Sequence, residues 1–208
     1  MKTKEKILKT AVEIFNEHSV SEISVNQIAG KMGISPGNLR YHYKTKEEII
    51  RTIWNTMTSQ LDTIWSNPEI HTHEPAIAGL LFNLGNLFYS YRFLYLELPH
   101  LLNKDPDLRE EYRRRTERII KLLGVILDSW ANAGIMKPLK SQKEKDYLIR
   151  NLWLANQLWM YYWDTVHARV TGENIKEGTM QILFVYKPYL NEKSADEIEF
   201  HLNQLCDQ

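Results

Sequence analysis

A single cysteine, Cys206, stands near the end of the 208-residue chain. One thiol cannot build an internal disulfide framework or a cysteine-based zinc site. Excess charge of either sign is also missing, since 26 Lys and Arg balance 26 Asp and Glu. Any anion-binding surface must therefore come from local segregation of charge. No run alternates apolar and polar residues long enough to make a strand, and no repeat or low-complexity tract occurs. Met1 to Lys9 is too polar for the apolar stretch of a signal peptide, so the expected compartment is the cytoplasm. Leu80 to Leu102 has the length of a membrane span but contains Asn83, Asn86, Arg92, Glu97 and Pro99. Such residues are costly in hydrocarbon, so this stretch is expected as buried helix, with no membrane partner. No nucleophile or phosphate loop accompanies Asp128, Asp164 and His167, which argues against an enzyme. His71, His73 and Glu74 lie on a loop without a partner cluster, so no metal and no cofactor is expected.

What is present is helical. With 43% hydrophobic residues the chain can bury a core without staples. Lys4 to His18 carries a stripe of Ile7, Leu8, Ala11, Val12, Ile14 and Phe15. Ser24 reads as the N-cap of a short helix that Gly33 ends, and Ser35 as the cap of a second, with Pro36 at its first position. Thr45 and Glu48 form a capping box for a longer helix reaching about Trp65. Further helices are expected near 76–92, 93–103, 106–134, 142–171, 174–190 and 195–206, with capping boxes at Ser141 and Ser194. The expected fold is all-α, with about 9–10 helices. The expected division is an N-terminal helix-turn-helix domain of three helices, residues 1–53, and a larger helical domain, residues 54–208.

The stretch GISPGNLRYHY, Gly33 to Tyr43, places helix breakers on both sides of Ser35 and then resumes helical spacing. Two short helices joined by Gly33-Ile34-Ser35 have the size and turn chemistry of a helix-turn-helix. Ile28, Ala29, Ile34 and Leu39 would fix the angle between them, leaving Asn38, Arg40 and Tyr41 outward. Gly37 has no side chain to hold a partner away from the backbone. Over residues 1–50 eight bases face six acids, and four of those bases lie from Lys31 to Lys46. Such a local basic cluster suits DNA.

ILKTAVEIFNEHSVSEISVNQIAGKMGISPGNLRYHYKTKEEII resembles the DNA-binding domain of the TetR family of transcriptional regulators over roughly residues 4–53. The resemblance implies three small helices docked on a longer fourth, then a variable helical domain that binds an effector and forms a homodimer. It further implies that Ser24, Asn26 and Gln27 meet the phosphate backbone or a groove edge. By the same likeness Pro36, Gly37, Asn38, Arg40, Tyr41 and His42 form the recognition helix, and Lys46 meets a phosphate. Two departures stand out: Arg40 replaces a common aromatic, and Ser19 replaces a usual glycine. Arginine at that position suits bidentate pairing with guanine. The serine is expected only to cost the turn a little stability.

Beyond residue 54 the likeness fades and the residues themselves must be read. Tyr147 to Val166 is apolar on more than one face, with Leu148, Leu152, Ala155, Trp159, Tyr162 and Val166 in one stripe and Ile149, Trp153, Met160 and Trp163 in the next. A helix apolar most of the way round must be covered on most sides. A dimer or a ligand-lined cavity could use the side left over; the family resemblance points to a dimer, with an interface of Trp159, Tyr162, Trp163, Val166, Ile182 and Tyr186 expected. Phe82, Asn86, Tyr89, Trp130, Trp153, Asn156, Gln157 and Met160 combine apolar walls with a few polar groups, the composition of a small-molecule site. The function these features suggest is a ligand-responsive, dimeric, DNA-binding regulator, a repressor acting on an inverted-repeat operator in double-stranded DNA and released by a mainly apolar or aromatic small-molecule effector. The alternative is a helical protein–protein interaction module whose aromatics are only core.

Overall fold

The structure is a computed structural model that describes residues 3–167 and 169–207. Among these residues there are eleven α-helices and two 3-10 turns, and β pairing is confined to an isolated bridge between Met136 and Leu190. The helices are α1 (Thr3–Glu17), α2 (Val25–Lys31), α3 (Pro36–His42), α4 (Lys46–Trp65), α5 (Glu74–Ser90), α6 (Arg92–Leu96), α7 (Leu98–Lys104), α8 (Pro106–Asn132), α9 (Gln142–Val166), α10 (Asn174–Tyr186) and α11 (Glu192–Cys206). The chain forms two compact units, one through Gln60 with Ser90–Glu110, the other Leu61–Tyr89 with Glu111–Gln208. The sequence boundary at 53/54 falls within the uninterrupted helix α4, and the first unit also takes in a later segment of chain.

In the first unit, the α1 stripe buries Ile7, Ala11, Ile14 and Phe15, and α4 buries Ile49, Ile50, Ile53, Trp54 and Met57. The later segment belongs to the same core: Phe93 of α6 is 1% exposed, with its ring 5.2 Å from that of Phe15. Burying one such aromatic stabilises by about 1.5–3 kcal/mol. The run from Leu80 to Leu102 is thus broken into three helices, with a turn at Tyr91 and Pro99 in the first turn of α7, where its missing N–H costs little. No helix among the described residues is long and apolar enough to cross a membrane.

In the second unit α9 and α10 pack along each other. The contact is close at Gly178, where an added Cβ would come within 2.3 Å of Cε3 of Trp159. Trp130 of α8 is 1% exposed, its indole N–H donates to the Ile70 carbonyl at 2.7 Å, and its ring lies 5.1 Å from that of Tyr186. α8 ends at Asn132, and Gly134, two residues on, has a φ of 76°, the left-handed conformation open to glycine. Ser141 caps α9 as expected, accepting from the Glu144 N–H at 3.2 Å. Ser194 does not cap α11. That helix starts at Glu192 after Asn191, and the buried Ser194 hydroxyl donates to Glu74 at 2.8 Å.

Candidate nucleic-acid interface

The first unit sets two short helices at a fixed angle. Ser24 caps α2 in a full capping box: its hydroxyl accepts from the Gln27 N–H at 3.3 Å, and the Gln27 side chain accepts from the Ser24 N–H at 2.8 Å. α2 ends at Lys31 with Met32 as its C-cap, Gly33 follows with φ 67°, and the Ile34 N–H closes the turn on the Ala29 carbonyl at 3.1 Å. Ser35 then caps α3, accepting from the Asn38 N–H at 3.2 Å, with Pro36 in the first turn. Ile28, Ala29 and Leu39 are wholly buried where α2 and α3 pack. Thr45 accepts from the Glu48 N–H at 3.2 Å, and Glu48 reaches back to the Lys44 N–H at 2.8 Å, which starts α4.

What this frame leaves in solvent is the outer face of α3 and the start of α2. Ser24, Asn26, Gln27, Pro36, Gly37, Asn38 and Arg40 are exposed, and Tyr41 is 86% exposed, a large aromatic with no internal use. His42 is half-buried and stands edge-on to Tyr41, ring centroids 5.2 Å apart. Tyr43 and Leu39 are core residues, and burial pushes the Tyr43 hydroxyl's pKa up. The two helices are joined across this face by Arg40, whose guanidinium donates to the Asn26 side-chain oxygen at 3.2 Å. A Cβ on Gly37 would meet nothing nearer than Ser35 Oγ at 3.9 Å, so the protein's own packing does not require glycine there. Lys46 is half-buried, and its ammonium donates to the Val20 and Ile23 carbonyls at 2.6 and 2.9 Å. Two of its three donors are thereby used. The lysine holds a turn, whatever it also meets outside the protein.

The residues expected around an effector lie on α5, α8 and α9 of the second unit. Phe82, Asn86 and Tyr89 are half-buried on α5, as are Trp153, Asn156 and Gln157 on α9, while Met160 is fully buried. Tyr112 of α8 donates to Gln157 Oε1 at 3.4 Å, and burial raises its pKa. Trp130 is a core pillar with its N–H already satisfied. Asn156 Oδ1 and the indole nitrogens of Trp159 and Trp163 are buried without a hydrogen-bond partner among the described residues. They recur at positions i, i+3 and i+7, one side of α9.

Three residues expected at a dimer interface are instead inside the protomer. Trp159, Ile182 and Tyr186 are 3%, 1% and 5% exposed, because the close approach at Gly178 turns the Trp159 face of α9 toward α10. Trp163 is half-buried against His167, ring centroids 4.5 Å apart. Tyr162 and Val166 do remain in solvent, and they continue a stripe that the sequence reading passed over: Leu154, Leu158 and Tyr161, with Phe184 of α10 also exposed. Spacing by three and four residues from Leu154 through Val166 could have revealed it, had the interior faces of α9 been assigned first. The side chains that invited acid–base or metal readings have structural partners: Asp128 pairs with Lys145 at 2.6 Å and His71 bonds Ser129 at 3.0 Å.

An all-α chain with a capped helix-turn-helix and a solvent-facing second helix has the architecture of a DNA-binding regulator. The comparisons with known proteins identify which kind. The family described as "Bacterial regulatory proteins, tetR family" matches residues 7–53, and that described as "Bacterial transcriptional repressor" matches residues 47–198. The chain belongs to the TetR family of transcriptional regulators. It is 31% identical to a TetR-family transcriptional regulator from Marinobacter aquaeolei VT8, over 99% of both chains with a TM-score of 0.87. Over 129 residues, 58% of this chain, it is 26% identical to the probable regulator YttP of Bacillus subtilis, and over 93 residues, 45% of this chain, 34% identical to the regulator QacR of Staphylococcus aureus. The matched stretches span 62% and 50% of those two relatives' lengths.

Proposed function

We propose that this protein is a dimeric, ligand-responsive repressor, cytoplasmic like the DNA it binds, that reads an inverted-repeat operator with α3. The observation that carries the reading is the outer face of α3, where Asn38, Arg40 and Tyr41 stand in solvent on a rigid frame and Gly37 leaves the backbone open. Arginine pairs bidentately with guanine and asparagine with adenine, so this face has the donors and acceptors for a short base code. Two copies related by a two-fold would present two α3 helices to successive major grooves about 34–36 Å apart, which calls for an inverted repeat. The dimer is supported by the stripe of Leu154, Leu158, Tyr161, Tyr162 and Val166, each at least 45% exposed. Such a contiguous apolar face on one helix is rare on a monomer.

An effector site is supported by Phe82, Asn86 and Tyr89 on α5 and by the partnerless atoms of α9. Leaving a buried donor or acceptor unpaired costs about 1–3 kcal/mol. A mainly apolar molecule bearing both a hydrogen-bond acceptor and a donor would recover that cost. Gel-shift titration of the upstream DNA of its own gene, with and without small molecules of this kind, tests the reading. A specific complex that such a molecule dissolves supports it, and no specific complex at any concentration contradicts it.

A further inference from the structure

The turn between α1 and α2 is gripped from two distant parts of the chain. The Val20 N–H donates to Glu97 Oε1 at 2.7 Å, and the Ser19 hydroxyl donates to Glu97 Oε2 at 3.2 Å. The carbonyl of the same Val20 accepts from the Lys46 ammonium at 2.6 Å, as does the Ile23 carbonyl at 2.9 Å. A carboxylate thus holds the N–H of one residue while an ammonium holds its C=O. Both bonds are charge-assisted, roughly twice as strong as neutral ones. Ile23 immediately precedes Ser24, the cap that starts α2, and the Val20 and Ile23 side chains are buried below the turn. Ser19 supplies a further hydroxyl to the same carboxylate.

We infer that Glu97, at the junction of α6 and α7, is a positioning residue for DNA binding: with Lys46 it clamps the Val20 backbone on both sides of its Cα and sets α2 relative to α3 and α4. The inference rests on the DNA-binding role proposed above and extends the apparatus to a residue 77 positions beyond the turn it holds. The clamp is separable from the docking of α6 itself. Asn16 of α1 accepts from the Phe93 N–H at 3.2 Å and donates to the Ser90 carbonyl at 2.8 Å, and Phe93 is buried against Phe15. Removing the Glu97 carboxylate therefore frees the turn while α6 stays in place. The apparent affinity for a specific site scales with the fraction of molecules whose α2 is in position, whereas non-specific attraction to phosphates does not need that register.

The test uses the full chain and the duplex that the unmodified protein enriches from a random pool. Glu97→Ala should weaken that duplex about tenfold while changing binding to an unrelated duplex by less than about twofold. Hydrogen exchange at the Val20 amide should accelerate while the amides of Ile53 and Met57 in α4 keep their protection. Glu97→Gln retains an oxygen acceptor for the Val20 N–H and should recover most of the affinity. The losses from Lys46→Ala and Glu97→Ala should combine to less than their product, because both act on the backbone of one residue, Val20. Unchanged duplex affinity and unchanged Val20 exchange in Glu97→Ala would overturn the inference, as would a loss that Gln does not rescue or exchange that rises throughout the unit. If no duplex is enriched, the DNA-binding reading fails instead, and Val20 exchange alone still decides the clamp.

Discussion

Asp105 is nearly buried, 6% exposed, and Arg51 donates to both its oxygens at 2.5 Å, while the Leu108 N–H donates to Oδ1 at 3.0 Å. Burial alone would push the Asp105 carboxyl's pKa up, but the hydrogen bonds from Arg51 and the backbone outweigh it and hold the pKa below the usual value. A carboxyl with a lowered folded pKa contributes stability that is complete above its unfolded pKa of about 3.9 and is lost as pH falls through the folded value. Asp105→Asn should therefore lower the melting temperature at pH 7, and the gap to the unmodified protein should close in thermal melts as the pH falls through the lowered folded pKa of Asp105. Gly37 gives a sharper residue-scale prediction. Gly37→Ala should leave stability unchanged or raise it by up to about 1 kcal/mol, since its Cβ would meet nothing nearer than Ser35 Oγ at 3.9 Å, yet weaken operator binding if DNA backbone lies against it. Arg40→Ala and Asn38→Ala should each cost about 1–3 kcal/mol at the operator and relax preference at one base position, read by gel shifts against single-base variants.

At the scale of elements, α1 through α4 were legible because each start and stop carries its own local chemistry: Ser24 with Gln27, Gly33, Ser35 with Pro36, Thr45 with Glu48. Docking of α6 against α1 was not legible, because no local pattern says that Phe93 packs on Phe15 rather than in the larger unit. Ser194 misled in a related way, since a capping-box pattern cannot show that its hydroxyl is taken by Glu74. Helix α9 was read as apolar on several sides, but which side faces α10 is fixed by the missing side chain of Gly178, far away in sequence. Gly178→Ala should accordingly disturb the Trp159 ring and destabilise the protein by about 1–3 kcal/mol in denaturant unfolding. Changing Leu158 and Tyr161 together to Lys and Glu should leave the fold intact, since both are more than half exposed, and shift sedimentation from dimer to monomer. Unaltered sedimentation of that double variant would remove α9 from the proposed interface.

At the scale of the whole molecule, a protein with no net charge must recognise DNA by placement rather than by bulk attraction. On the proposed reading the exposed face of α3 supplies base contacts, and the turn held by Glu97 and Lys46 keeps α2 beside it. α4 begins with Lys46 in the first unit, and its last residues, Leu61 to Trp65, belong to the second. A ligand can shift operator binding only by its differential affinity for two states, and the proposed switch assigns α4 the task of carrying that difference to the recognition helix. Removing Trp153, a half-buried residue far from α3 in sequence, should therefore alter response to an effector while leaving operator affinity in its absence within about twofold.

The most direct test is selection of duplexes from a random pool by the purified protein, followed by footprinting on the enriched sequence. The account predicts an inverted repeat whose two protected half-sites lie on one face of the DNA, with guanine preferred at a position that Arg40→Ala releases. Enrichment of no sequence, or of a single unrepeated site bound equally well by Arg40→Ala, would contradict it.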